Sequence, residues 1–126
     1  MKKFGQFILE QSNHILYHGC HRTLLDSILK NGLVASSDND TKGATFLSKD
    51  IDVAYHFASM TGEKNFKNGS ETEKNPEDER CVVKFSIPDE FYKEHFVREK
   101  TGDLSEVSFD CSIPAHFIVS HKIGQK

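Results

Sequence analysis

The chain has no apolar run approaching the ~20 residues that a bilayer-crossing helix needs, so a membrane-spanning segment is not expected. Its start, Met1-Lys2-Lys3-Phe4-Gly5-Gln6-Phe7, is basic but lacks a sustained apolar region, so no signal peptide is expected and the default location is the cytoplasm of a bacterial or infected host cell. Cysteine is scarce. Cys20, Cys81 and Cys111 are odd in number and show no short repeated spacing, which makes a poor disulfide framework and favours each as a small buried or half-buried residue. An excess of basic charge is also missing. The net charge of -3 argues against non-specific binding to nucleic acid through a large basic surface, although it permits a nucleic acid held briefly as a substrate.

What remains fits a single domain over 1–126: at 126 residues the chain can bury one core but not two, and 28% charged against 37% hydrophobic residues suits a globular protein. Residues 1–14 could form a short helix over one edge. Residues 15–18 read as a strand, and Thr23 with Asp26 gives a near capping box for a helix carrying Leu24, Leu25, Ile28 and Leu29 on one face. Gly32 is placed to end that helix with positive φ. A polar loop over 35–43 leads to a short strand, 44–47. A second helix follows, capped by Ser48 or Asp50, with Ile51, Ala54, Tyr55 and Ala58 at helical spacing. Residues 61–80 read as a long loop, either solvated or a lid over a target. Strands are expected over 81–87, 105–109 and 116–120, with a short helix or broken turn over 90–97. Strands and helices neither alternate strictly nor segregate, and no internal repeat is present, so the fold class is α+β with an antiparallel or mixed sheet.

The segment Leu16-Tyr17-His18-Gly19-Cys20 carries the most information. An apolar strand ends in His-Gly and a helix leads away at once, placing an imidazole and a backbone without a side chain at the mouth of a cleft. Two later segments align with it. Tyr17-His18-Gly19-Cys20 with Ile28 to Leu33 resembles the opening block of the ADP-ribosyltransferase superfamily. Lys42 to Ser48 with Ala54-Tyr55-His56-Phe57-Ala58 resembles its second block. Ser105-Glu106-Val107 with Ile113-Pro114-Ala115-His116-Phe117-Ile118 resembles its third, in which a strand opens with the catalytic glutamate. The match spans about residues 15–119 and is closest to the branch of diphtheria toxin and the poly(ADP-ribose) polymerases, where the first block carries His.

The resemblance implies split β-sheets with flanking helices, NAD as co-substrate, and cleavage of the nicotinamide–ribose bond through a state with positive charge on the ribose. It implies that His18 hydrogen-bonds a ribose hydroxyl and that the Gly19 backbone holds the nicotinamide carboxamide. Glu106 would orient the ribose hydroxyl beside the reacting carbon and stabilise the developing charge. Phe46, Tyr55 or His56 would wall the nicotinamide ring, Arg22 would pair with the pyrophosphate, and Ser48 belongs to the same NAD-contacting block. Thr45 stands where the polymerase-like branch places a stacking tyrosine, so ring contact must come from elsewhere. Leu104, two residues before Glu106, replaces the acidic residue of the arginine-modifying branch, which disfavours arginine as acceptor. The domain is small for polymer synthesis, so mono-transfer to a protein or nucleic-acid acceptor is the expected activity, with a toxin or phage effector as the analogy. Rival readings are an NAD hydrolase and an inactive module binding NAD, ADP-ribose or a protein. RNA 2′-phosphotransfer is disfavoured because Arg22, Arg80 and Arg98 are the only arginines. A zinc site from His18, Cys20, His21 and Cys111 is disfavoured because His21 would point away from the other two strand residues and no Cys-x-x-Cys pair exists.

Overall fold

The computed structural model describes residues 13–35, 44–60, 76–102 and 105–124. The helix expected within 1–14 lies almost wholly outside these residues, as do most of the loops 35–43 and 61–80. Two antiparallel three-stranded sheets and three helices make up an α+β fold. The strands are β1 (His14–His21), β2 (Thr45–Leu47), β3 (Arg80–Ile87), β4 (Phe96–Lys100), β5 (Glu106–Phe109) and β6 (Ile118–Ile123). The helices are α1 (Arg22–Asn31), α2 (Ile51–Met60) and α3 (Asp89–His95). The first sheet has the order β1-β3-β6 and the second β2-β5-β4. Among the described residues no helix is long and apolar enough to cross a membrane.

β3 explains the first sheet. It is central and covered on both sides, so Cys81, Val82 and Val83 are buried in succession instead of alternating with polar residues. Cys81, Val83, Phe85 and Ile87 face the main core, which also takes Leu16 and Cys20 from β1, Leu25 and Ile28 from α1, and Val107 and Phe109 from β5. Each large side chain buried there contributes about 1.5–3 kcal/mol. Val82 faces the other way, into a smaller cluster with Ala54 and Tyr55 of α2, against which Tyr17 and Ile51 pack. The sheet is thus sandwiched between the core and α2. Cys20 and Cys81 sit opposite each other across β1 and β3 as free thiols, and burial together with its neighbour pushes the Cys20 thiol up to about 12.

Helix α1 starts earlier than the capping box suggests. His21, still extended at φ -77 and ψ 148, is the N-cap, and its Nδ1 accepts from the Thr23 N–H at 3.1 Å. The imidazole therefore takes the place of the expected Thr23 hydroxyl. Gly32 ends the helix as expected, at φ 80, with its N–H donating to the Ile28 carbonyl at 2.8 Å. Asp50 is the residue that caps α2, its Oδ1 accepting from the Asp52 N–H at 2.8 Å.

Among the described residues one backbone bridge joins the two sheets. Tyr17 of β1 exchanges both backbone hydrogen bonds with Ser48, just past β2, at 2.7 and 2.8 Å. Both bridge residues also line a cleft between the sheets.

Candidate active site

The cleft holds a cavity of about 180 Å³ lined by Tyr17, His18, Gly19, Phe46, Leu47, Ser48, Ala54, Phe57 and Glu106. Three distant stretches of chain supply this wall, and each does so for a local reason.

β1 supplies His18 and Gly19. Alternation sends Leu16, His18 and Cys20 to the core side, so His18 is an imidazole between two fully buried neighbours. Its Nδ1–H donates to the Phe46 carbonyl at 3.0 Å. Burial pushes the ring's pKa down from 6.5, against a smaller upward pull from that carbonyl, so the neutral form is favoured. With Nδ1 protonated, Nε2 keeps its lone pair and can only accept. The tautomer follows from the carbonyl partner, because a carbonyl oxygen cannot donate.

Gly19 presents its backbone. Tyr17 bonds outward to Ser48, away from β3, and the pattern repeats every second residue of an antiparallel strand, so the Gly19 N–H and C=O also point outward. Among the described residues no strand pairs with them there, the bridge to the second sheet being at Tyr17 and Ser48. One donor and one acceptor therefore face the cavity, spaced as a sheet edge. The missing side chain serves a different purpose from the one the motif suggests. A Cβ on Gly19 would penetrate the carbonyl oxygen of Ala54 and stand 2.8 Å from the Ala58 nitrogen. Glycine here lets α2 lie against the strand, and that contact brings Ala54 and Phe57 to the cavity.

β2 and β5 supply the opposite wall. Thr45, Leu47, Val107 and Phe109 are buried toward the core, so Phe46, Ser48, Glu106 and Ser108 share the other face. Ser48 is buried, its Oγ accepting from the Asp50 N–H at 3.1 Å and sharing a 3.1 Å hydrogen bond with the Ser105 hydroxyl. That bond ties the residue preceding Glu106 to the end of β2, and so fixes where the carboxylate enters the cleft.

Of the residues singled out from the sequence, the cavity brings together His18, Gly19, Phe46, Ser48 and Glu106. Four others stand apart from its lining. Thr45 points into the core, where its hydroxyl donates to the Cys111 carbonyl at 2.9 Å. Tyr55 is buried on the far flank of α2 with Val82, the Arg80 guanidinium lying 5.4 Å from its ring centroid. His56 and Arg22 also lie outside the lining, Arg22 as the exposed first residue of α1. The second aromatic wall is instead Phe57, which sequence reasoning passed over. The signal was available: Ala54 and Ala58, four apart, mark the face laid against a strand, and the residue three after Ala54 flanks that face.

The cavity lining offers two phenylalanines, a backbone donor–acceptor pair, a neutral imidazole acceptor and a carboxylate. This set can take a flat amide-bearing ring joined to a hydroxylated group. A scan against protein-family models and a search among curated proteins found no match to the chain.

Proposed function

We propose that the protein is an NAD-dependent mono-ADP-ribosyltransferase that cleaves the nicotinamide–ribose bond and passes ADP-ribose to a macromolecular acceptor. The observation that carries this reading is the meeting of His18 and Glu106, from separate sheets, at one cavity walled by Phe46 and Phe57.

The residues divide the task. The Gly19 N–H donates to the carboxamide oxygen of nicotinamide while its C=O accepts from the amide nitrogen, so the ligand extends the β1 edge beyond Ser48. Phe46 and Phe57 enclose the ring. A ring lying between them loses its charge as the bond breaks, which an apolar slot favours. His18 Nε2 accepts from a ribose hydroxyl, which only the neutral ring can do. Glu106 accepts from the hydroxyl beside the reacting carbon and places negative charge where positive charge develops. Water is the competing acceptor in the same geometry.

Nicotinamide release from NAD, measured with and without cell lysate, tests the proposal. The wild-type protein is expected to release it, and Glu106→Gln to lower the rate about 10²- to 10³-fold. Release that requires lysate assigns transfer; equal release without it assigns hydrolysis. Retained NAD binding with no release under either condition makes the protein a binding module and overturns the reading.

A further inference from the structure

Strand register places two cations beside Glu106. β4 is the outer strand of its sheet, and it pairs with β5 so that Lys100 lies opposite Glu106 and Arg98 opposite Ser108. Directly paired residues share a face, so Arg98 and Lys100 project on the same side as Glu106, Phe46 and Ser48. The irregularity between Phe96 and Arg98 shifts the alternation and sets this phase. Glu99, between them, points to the other face and pairs with Lys49 at 3.0 Å. Arg98 and Lys100 are exposed, and among the described residues neither has a carboxylate partner. Among the described residues of β2, β4 and β5, the acid sharing their face is Glu106, the group the mechanism uses.

Building on the reading above, we infer that the acceptor is a single nucleic-acid strand whose phosphates lie along β4. Two alternate strand positions are about 6.8 Å apart, comparable to one backbone repeat of an extended nucleic-acid strand. The guanidinium of Arg98 suits a phosphate bidentately, and Lys100 supplies a point charge next to the carboxylate. Phosphates held there carry a base over the mouth of the cleft. In the transfer, a base nitrogen's lone pair forms the bond to the anomeric carbon as the bond to nicotinamide breaks. The bonding electrons leave with neutral nicotinamide, and the proton lost by the base passes to Glu106. The chain's net charge of -3 fits a partner gripped at one local stripe and then released.

The test incubates the full chain and NAD labelled on its adenylate phosphate with mixed-sequence single-stranded DNA, the same sequences as RNA, or nucleic-acid-free lysate protein. Nicotinamide release is followed in each arm. Label on either oligonucleotide is expected, lost in Arg98→Ala/Lys100→Ala and kept in the charge-preserving Arg98→Lys/Lys100→Arg. In the single variants Arg98→Ala and Lys100→Ala, the slope of log KM for the oligonucleotide against log salt should fall by about 0.7. Both positions are exposed, and an unchanged Tm would show that the alanine variant folds. Label confined to lysate protein, with nicotinamide released, overturns this inference and leaves the transferase reading intact. Oligonucleotide labelling that survives the alanine variant also overturns it. Absence of nicotinamide release in every arm overturns both.

Discussion

At Gly19 two requirements fall on one residue. The hydrogen in place of a side chain faces α2, while the N–H and C=O face the cleft. Gly19→Ala should therefore act first on stability. The added methyl meets the backbone of Ala54, which cannot rotate away, and overpacking of this kind costs about 1–3 kcal/mol. Urea denaturation measures it, and a variant as stable as wild type would refute the close packing. The His-Gly pair was legible in the sequence as a site because its polarity interrupts an apolar strand. The reason for the glycine was not, because it lies in a helix that follows much later in the chain. His18 makes a second prediction. Its folded-state pKa lies below 6.5, so the unfolded chain takes up the proton first as pH falls. Stability from this group is complete above pH 6.5 and is lost as pH drops from there toward the folded-state value. Thermal unfolding of His18→Gln should show a shallower acid slope than wild type. For the same reason, NAD affinity should show no step at pH 6.5, and a step there would mean that the imidazole titrates normally.

Helix α2 is the element on which the site depends most. Its spacing announces a helix, yet one period is compatible with several burial phases, so Tyr55 or His56 stand beside Phe46 as alternatives for the wall. Packing settles the phase: Ala54 and Ala58 press on β1, Tyr55 goes to Val82, and Phe57 reaches the cavity. Phe57→Ala should raise KM for NAD by about tenfold, the equivalent of roughly 1.4 kcal/mol, with the fold intact. Tyr55→Phe, which removes only a hydroxyl outside the cavity, should leave KM unchanged. Steady-state kinetics on the two variants separates these roles, and equal effects would contradict the observed phase. The second sheet was harder to read. Phe91, Tyr92 and His95 recur at helical spacing, and Tyr92 stacks on Phe96 at 5.1 Å between centroids, so 90–97 looks like one amphipathic stretch. The helix stops at His95 and Phe96 begins β4, every residue of which is exposed. A strand with no buried side leaves no alternating apolar signature; only its pairing with β5 makes it a strand.

At the scale of the whole molecule, the α+β class, the Gly32 helix stop and the strand ending at Ile87 followed from composition and periodicity. The split into two sheets was implied by the resemblance and not by periodicity, because the Tyr17–Ser48 bridge that joins the two is a single long-range contact. That bridge does two things for the site: it joins the sheets, and it ends just where Gly19 needs a free edge. A planar carboxamide is expected to occupy this edge. The most direct measurement is an amide-resolved NMR titration of the labelled protein with nicotinamide, and with nicotinic acid as the comparison. The expected result is a downfield shift of the Gly19 N–H and ring-current shifts at Phe46 and Phe57. Nicotinic acid should bind more weakly, because its carboxylate cannot donate to the Gly19 carbonyl. Saturation with nicotinamide that leaves Gly19 and both phenylalanines unmoved would contradict the placement of the ring and, with it, the proposed chemistry.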